Sequence, residues 1–129
     1  MANPIQLYSR DTKWRKGVMR TLVSELFANG KIITTLTRAK EIRRYAEKMI
    51  TKAKKINLAN RRIIEAFLRP IEVEITAKKK EAAKKISVSL HLIENIAPKY
   101  AKRNGGYTRI FRLPARQGDA TPMALIELV

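Results

Sequence analysis

The chain has 129 residues, with 28 Lys and Arg against 11 Asp and Glu, a formal net charge of +17. A field of that size destabilises its own compact state unless a polyanion neutralises it, which makes nucleic acid the leading partner. With 45% hydrophobic residues and no Cys, a disordered basic tail, a disulfide framework and a thiolate zinc site are excluded.

The length suits one domain able to bury roughly two thirds of its unfolded surface. Met1 to Arg10 lacks the apolar run of a signal peptide. No stretch approaches the roughly 20 apolar residues of a membrane span, so a cytoplasmic protein is expected. Residues 1–10 read as an amino-terminal extension and residues 11–129 as a single nucleic-acid-binding domain.

In chain order, the first predicted helix runs from Asp11 to Asn29. Val18, Met19, Leu22, Val23, Leu26 and Phe27 form its apolar arc, and Asn29-Gly30 its stop. Lys13, Arg20 and Ser24 fall on the other side. Lys31 to Thr35 is short and β-branched, as in a strand. Thr37 is then expected to cap a helix to about Lys55, with Ile42, Ala46, Met49 and Ala53 as a buried stripe and Lys40, Arg44, Lys48 and Lys55 opposite.

Asn57 can cap a short helix through Arg61 and Arg62 to about Phe67, ended by Arg69-Pro70. Ile71 to Ile75 alternates like a strand, whereas Thr76 to Lys85 is rich in Ala, Lys and Glu like an exposed helix. Leu90, Ile93, Ala97 and Tyr100 space as a further helix kinked by Pro98 and stopped by Asn104-Gly105-Gly106. Tyr107 to Leu113 and Met123 to Val129 then form two strands around the loop Pro114 to Pro122. The expected fold is α+β: a small mixed β-sheet of about three strands packed with four to five α-helices.

Charge is concentrated early. Residues 1–62 hold 16 basic and 4 acidic groups, and residues 63–129 hold 12 and 7. The first part is therefore the expected docking surface, through Arg10, Lys13, Arg15, Lys16, Arg20, Arg38, Lys40, Arg43, Arg44, Lys48, Lys55, Arg61 and Arg62. Neighbours on a helix point apart, so one of Arg61 and Arg62 can pack instead. From the later part Lys102, Arg103, Arg109, Arg112 and Arg116 join the set. Gly105 and Gly106 either stop a helix or let backbone approach phosphate. Tyr107 reads as core or as a stacking platform, and Trp14 can serve either way. Asp119 is expected to organise its turn.

Catalysis has little support. His91 is the single histidine, set in an apolar stretch, and Glu72 and Glu74 lack a third metal ligand. No phosphate loop, zinc signature or nucleophile motif is present, and no cofactor, metal or small-molecule substrate is implied.

Three ordered blocks carry a resemblance. The first is Met19-Arg20 with Leu22 to Leu26, Ile33-Thr34-Thr35 and Thr37-Arg38-Ala39-Lys40-Glu41-Ile42-Arg43. The second is Met49-Ile50-Thr51-Lys52-Ala53-Lys54 with Asn60-Arg61-Arg62. The third is Arg103-Asn104-Gly105-Gly106-Tyr107-Thr108-Arg109-Ile110, then Arg116-Gln117-Gly118-Asp119 and Pro122-Met123-Ala124-Leu125-Ile126-Glu127-Leu128. Together they resemble the bacterial large-subunit ribosomal protein seventeen family. The resemblance implies a non-catalytic α+β constituent of the 50S subunit that binds 23S ribosomal RNA near the nascent-chain exit tunnel, beside neighbouring large-subunit proteins. Two regions depart from it: members usually begin with a basic stretch ending in Gly-Arg, whereas Met1 to Ser9 here is uncharged in its side chains, and Leu68 to Ser89 matches poorly. The charge alone also permits a general nucleic-acid-binding, nucleoid-type protein.

Overall fold

The computed structural model describes residues 8–75 and 84–129. Helix α1 spans Thr12–Asn29; Asp11 accepts the Trp14 N–H at its start, and Gly30 ends it in the left-handed region at φ 78°. The predicted arc packs inward, with Val23 and Leu26 inaccessible to solvent and Met19 and Phe27 nearly so. Strand β1 (Lys31–Thr35) leads straight into α2 (Leu36–Lys54).

That direct junction corrects the expected cap. Thr35, not Thr37, is the capping position, and its side chain makes no capping bond. The Leu36 N–H, one of the free donors of the first turn, is met instead by the Pro122 carbonyl at 3.0 Å. The stripe Ile42, Ala46, Met49 and Ala53 is buried as expected.

α3 spans Leu58–Phe67, with the Asn57 side chain accepting the Asn60 N–H at 2.7 Å. Its Phe67 stacks on Tyr45 of α2 at 5.8 Å between ring centroids. β2 (Glu72–Ile75) pairs antiparallel with β3 (Lys84–Ser87), burying Val73 against Ile86. Lys84 and Lys85 were expected to continue an exposed helix but begin this strand; residues 76–83 lie outside the described residues.

α4 (Val88–His91) continues through a π-helical turn, Leu92–Ile96, and a 3₁₀ turn, Ala97–Tyr100. Val88, Leu92 and Ile96 face the core together with Ala97 and Tyr100, so the buried face differs from the Leu90–Ile93 spacing expected. The run ends at Tyr100, ahead of Asn104-Gly105-Gly106, which are therefore not its stop.

β4 (Thr108–Leu113) and β5 (Met123–Leu128) form the closing hairpin, and β1 pairs on the other side of β5, giving the order β1-β5-β4. Both sheets are antiparallel throughout rather than mixed. One face of the larger sheet places Ala124 and Ile126 in the core against α2. On the other, the register aligns Ile33, Leu125 and Phe111 in one cross-strand row. Ile33 is 65% exposed and Phe111 41% exposed, so this apolar row is largely open among the described residues.

Candidate nucleic-acid interface

α2 supports the most organised basic surface. Its apolar stripe fixes which face meets the core, so the basic residues at intervening positions point outward. Lys40, Arg43, Arg44 and Lys48 are exposed. Arg44, Lys48 and Lys52 repeat every fourth residue, which aligns them on one face. That row meets the Asn104–Gly105 turn across an open basin of about 730 Å³, also bordered by Glu47, Thr51 and Tyr107.

The basin's one carboxylate is engaged within the protein. Glu47 Oε1 accepts the Thr108 hydroxyl at 3.1 Å and lies 3.5 Å from Arg43 Nε. The turn is fastened from below by Lys54, whose ammonium donates to the Arg103 carbonyl and to the Tyr107 hydroxyl at 3.2 Å, 5.4 Å from that ring's centroid. Gly105 and Gly106 have φ of 154° and 63°, conformations that side-chain-bearing residues rarely adopt. A Cβ at either would meet nothing within 4 Å. These glycines are required by the turn's conformation, and the open space leaves its backbone accessible.

Several expected contact residues have other employment. Arg20 is turned onto the end of α3: its Nε donates to the Phe67 carbonyl at 2.7 Å and its Nη2 to the Ala66 carbonyl at 2.9 Å. These are orphan acceptors of a helix C-terminus. Arg20 is thus a structural latch and not a free phosphate ligand. Ser24, placed on the outer side from sequence, is fully buried; its hydroxyl donates to the Arg20 carbonyl at 2.7 Å and accepts the Arg69 N–H at 2.8 Å.

Tyr107 is 2% exposed and packs edge-on against Tyr100 at 5.1 Å, so its ring belongs to the core. Arg116 grips Asp119 with two donors, Nε to Oδ1 at 3.1 Å and Nη2 to Oδ2 at 2.5 Å. The Arg116 guanidinium, with Thr121, holds the Asp119 carboxyl well below the usual carboxylate range, and Asp119 in turn raises Arg116. Asp119 therefore organises the hairpin turn, as expected, and Arg116 is paired rather than free.

The remaining candidates divide by element. Lys13 and Lys16 are exposed on α1, while Arg15 bonds the Thr12 hydroxyl at 3.0 Å. Arg10 and Arg38 stand 5.5 Å and 5.8 Å from the Trp14 ring centroid. On α3, Arg61 pairs with Glu65 at 3.0 Å, and Arg62 is exposed. Lys55, Lys102 and Arg103 are exposed beyond the ends of α2 and the 3₁₀ turn. Arg109 lies over Phe111 at 5.8 Å, and Arg112 is exposed on the edge strand β4.

Two lysines of this surface were not singled out from sequence. Lys52 completes the Arg44–Lys48 row, a signal present in the four-residue spacing. Lys54 fastens the turn from 49 residues away, which no local pattern discloses.

His91 sits at the end of α4 with Nδ1 buried and without a hydrogen-bond partner. Burial, aided by the Lys99 charge, lowers its pKa and favours the neutral ring. Among the described residues no three His, Cys, Asp or Glu side chains cluster to hold a metal, and no helix is long and apolar enough to cross a membrane.

The family model described as Ribosomal protein L17 matches residues 18–129. Among curated proteins, the large ribosomal subunit protein bL17 of Mycoplasmopsis agalactiae is 69% identical over the full length of both chains. The bL17 of Mycoplasmopsis synoviae is 59% identical over the same extent. That of Lactobacillus helveticus is 48% identical over 121 residues, covering 93% of this chain and 94% of its own. The chain belongs to the ribosomal protein L17 family, whose role in the ribosome is structural and non-enzymatic.

Proposed function

We propose that this chain is a structural constituent of the cytoplasmic 50S subunit that binds 23S ribosomal RNA near the nascent-chain exit tunnel. The observation that carries the RNA reading is the basin where Arg44, Lys48 and Lys52 face the open Gly105–Gly106 turn. Row and turn offer two kinds of phosphate ligand at once: long cationic side chains and unobstructed backbone. Such contacts position a protein on RNA without reading sequence. Lys40, Lys55, Arg62, Lys102 and Arg103 extend this surface, and residues 11–129 act as one RNA-binding domain behind an amino-terminal extension. The apolar row Ile33, Leu125 and Phe111 fits a neighbouring large-subunit protein. The tunnel location rests on family resemblance.

The test is competition between a 23S transcript and duplex DNA across a salt series. Preference for the transcript is expected. Equal binding to both would favour the nucleoid-type reading. Because the chain has no Cys, a single Ala59→Cys substitution on exposed α3 can carry a cleavage reagent into assembled subunits. Cuts are expected in RNA lining the tunnel exit, and cuts elsewhere would overturn that location.

A further inference from the structure

We propose that the groove beside Trp14 is a receptor for an unstacked RNA nucleobase, which lies on the indole while the surrounding arginines hold its flanking phosphates. The site rests on the ribosomal-RNA reading and adds to it a base contact distinct from the α2 basin.

Four observations converge. Trp14 is half-buried on the first turn of α1, steadied edge-on by Tyr8 at 6.2 Å, and borders an open groove of about 360 Å³. The groove's apolar side chains are Val18 and Leu22, and its charged ones are Arg38 and Arg69, with no carboxylate among the lining residues. Gly17 lines it from inside the helix, where only Pro is less favourable. A Cβ at Gly17 would meet only the Arg69 guanidinium, at 3.6 Å in ordinary contact, so packing does not exclude a larger residue and the glycine keeps the groove open. Finally, the guanidiniums of Arg10 and Arg38 already lie within 6 Å of the indole centroid.

An aromatic ring, an apolar floor and convergent guanidiniums are what a splayed-out base and its phosphates require. Arg10 is exposed. Its cation–π contact is weaker than the stacking of a base on an aromatic ring. A base therefore displaces that guanidinium, which becomes free to pair with phosphate.

Trp14 is the only tryptophan, so its fluorescence reports this groove alone. The full chain is titrated with a single-stranded oligoadenylate and with a ribose-phosphate oligomer of equal length lacking bases, while filter binding records occupancy. Quenching by the oligoadenylate and not by the baseless oligomer is expected. Trp14→Ala should weaken oligoadenylate binding by roughly 5- to 150-fold, the range that loss of one stacked base gives. The salt slope should stay unchanged, because phosphate contacts persist. Trp14→Phe, which keeps a ring, should recover most of the affinity. Circular dichroism checks that each variant is folded, and the wild-type quench stands without the variants.

An unchanged spectrum with oligoadenylate bound would overturn the base receptor and leave the ribosomal-RNA reading intact. A spectrum that shifts only with purified large-subunit proteins would assign the groove to a protein neighbour and overturn it equally. Failure of every RNA to bind would overturn both readings.

Discussion

Arg20 separates a structural arginine from an RNA-contacting one. In Arg20→Ala, two hydrogen bonds to the last-turn carbonyls of α3 are lost, those to Phe67 and Ala66 at 2.7 Å and 2.9 Å. A bond involving a charged group contributes roughly 1.5–3 kcal/mol when the unmatched partner stays buried. The Ala66 contact is exposed, so water replaces part of it. The net loss should be about 2 kcal/mol. For a chain of this size each kcal/mol moves Tm by roughly 3–5 °C, giving a fall of about 6–10 °C. The assay is thermal unfolding by circular dichroism without RNA, paired with a salt series of 23S binding at a temperature where the variant is folded. The salt slope should not change. Unaltered Tm with a slope reduced by about 0.7–0.9 would rule out the latch and return Arg20 to the RNA contacts.

Other outcomes follow from the same geometry. Lys48→Ala with Lys52→Ala should lower the salt slope of RNA binding by about 1.4–1.8 while leaving Tm within a degree or two, and an unchanged slope would remove the α2 row from the interface. Ile126→Ala, at a fully buried position between Ile32 and Ile110, should cost about 2–5 kcal/mol in urea unfolding, whereas Ile33→Ala, 65% exposed, should cost under about 0.5 kcal/mol. Because His91 has a lowered pKa, the unfolded chain binds more protons. Its contribution should be intact above about pH 6.5 and decline as pH falls through that value. His91→Gln should flatten this part of the stability profile, and a profile identical to wild type would discount it.

Much of the fold was legible because local signals and core geometry agree. Asp11, Gly30 and Asn57 act at the helix ends their residue types announce, and the α2 stripe follows from spacing alone. Thr37 misled because a tertiary donor-acceptor pair, Leu36 with Pro122, replaced a side-chain cap. The run from Val88 to Tyr100 changes helical pitch twice, which rotates its buried face away from a strict α spacing. For the interface, sequence located the basic α2 face but not the division of labour among its cations. Arg20, Lys54 and Arg116 are as basic as Lys48, yet each satisfies acceptors within the protein: the last-turn carbonyls of α3, the Arg103 carbonyl and the Asp119 carboxylate. Lys52 was the exception, since its four-residue spacing from Lys48 was visible in the chain.

As an integral part of the large subunit, this basic domain should stay bound to it through purification. Sedimentation of a cell lysate through a sucrose gradient, at moderate salt and again after a high-salt wash, tests it most directly, with an antibody tracking the chain. The predicted result is co-migration with large subunits that survives the wash. Release by the wash to the top of the gradient, or migration with DNA, would contradict it.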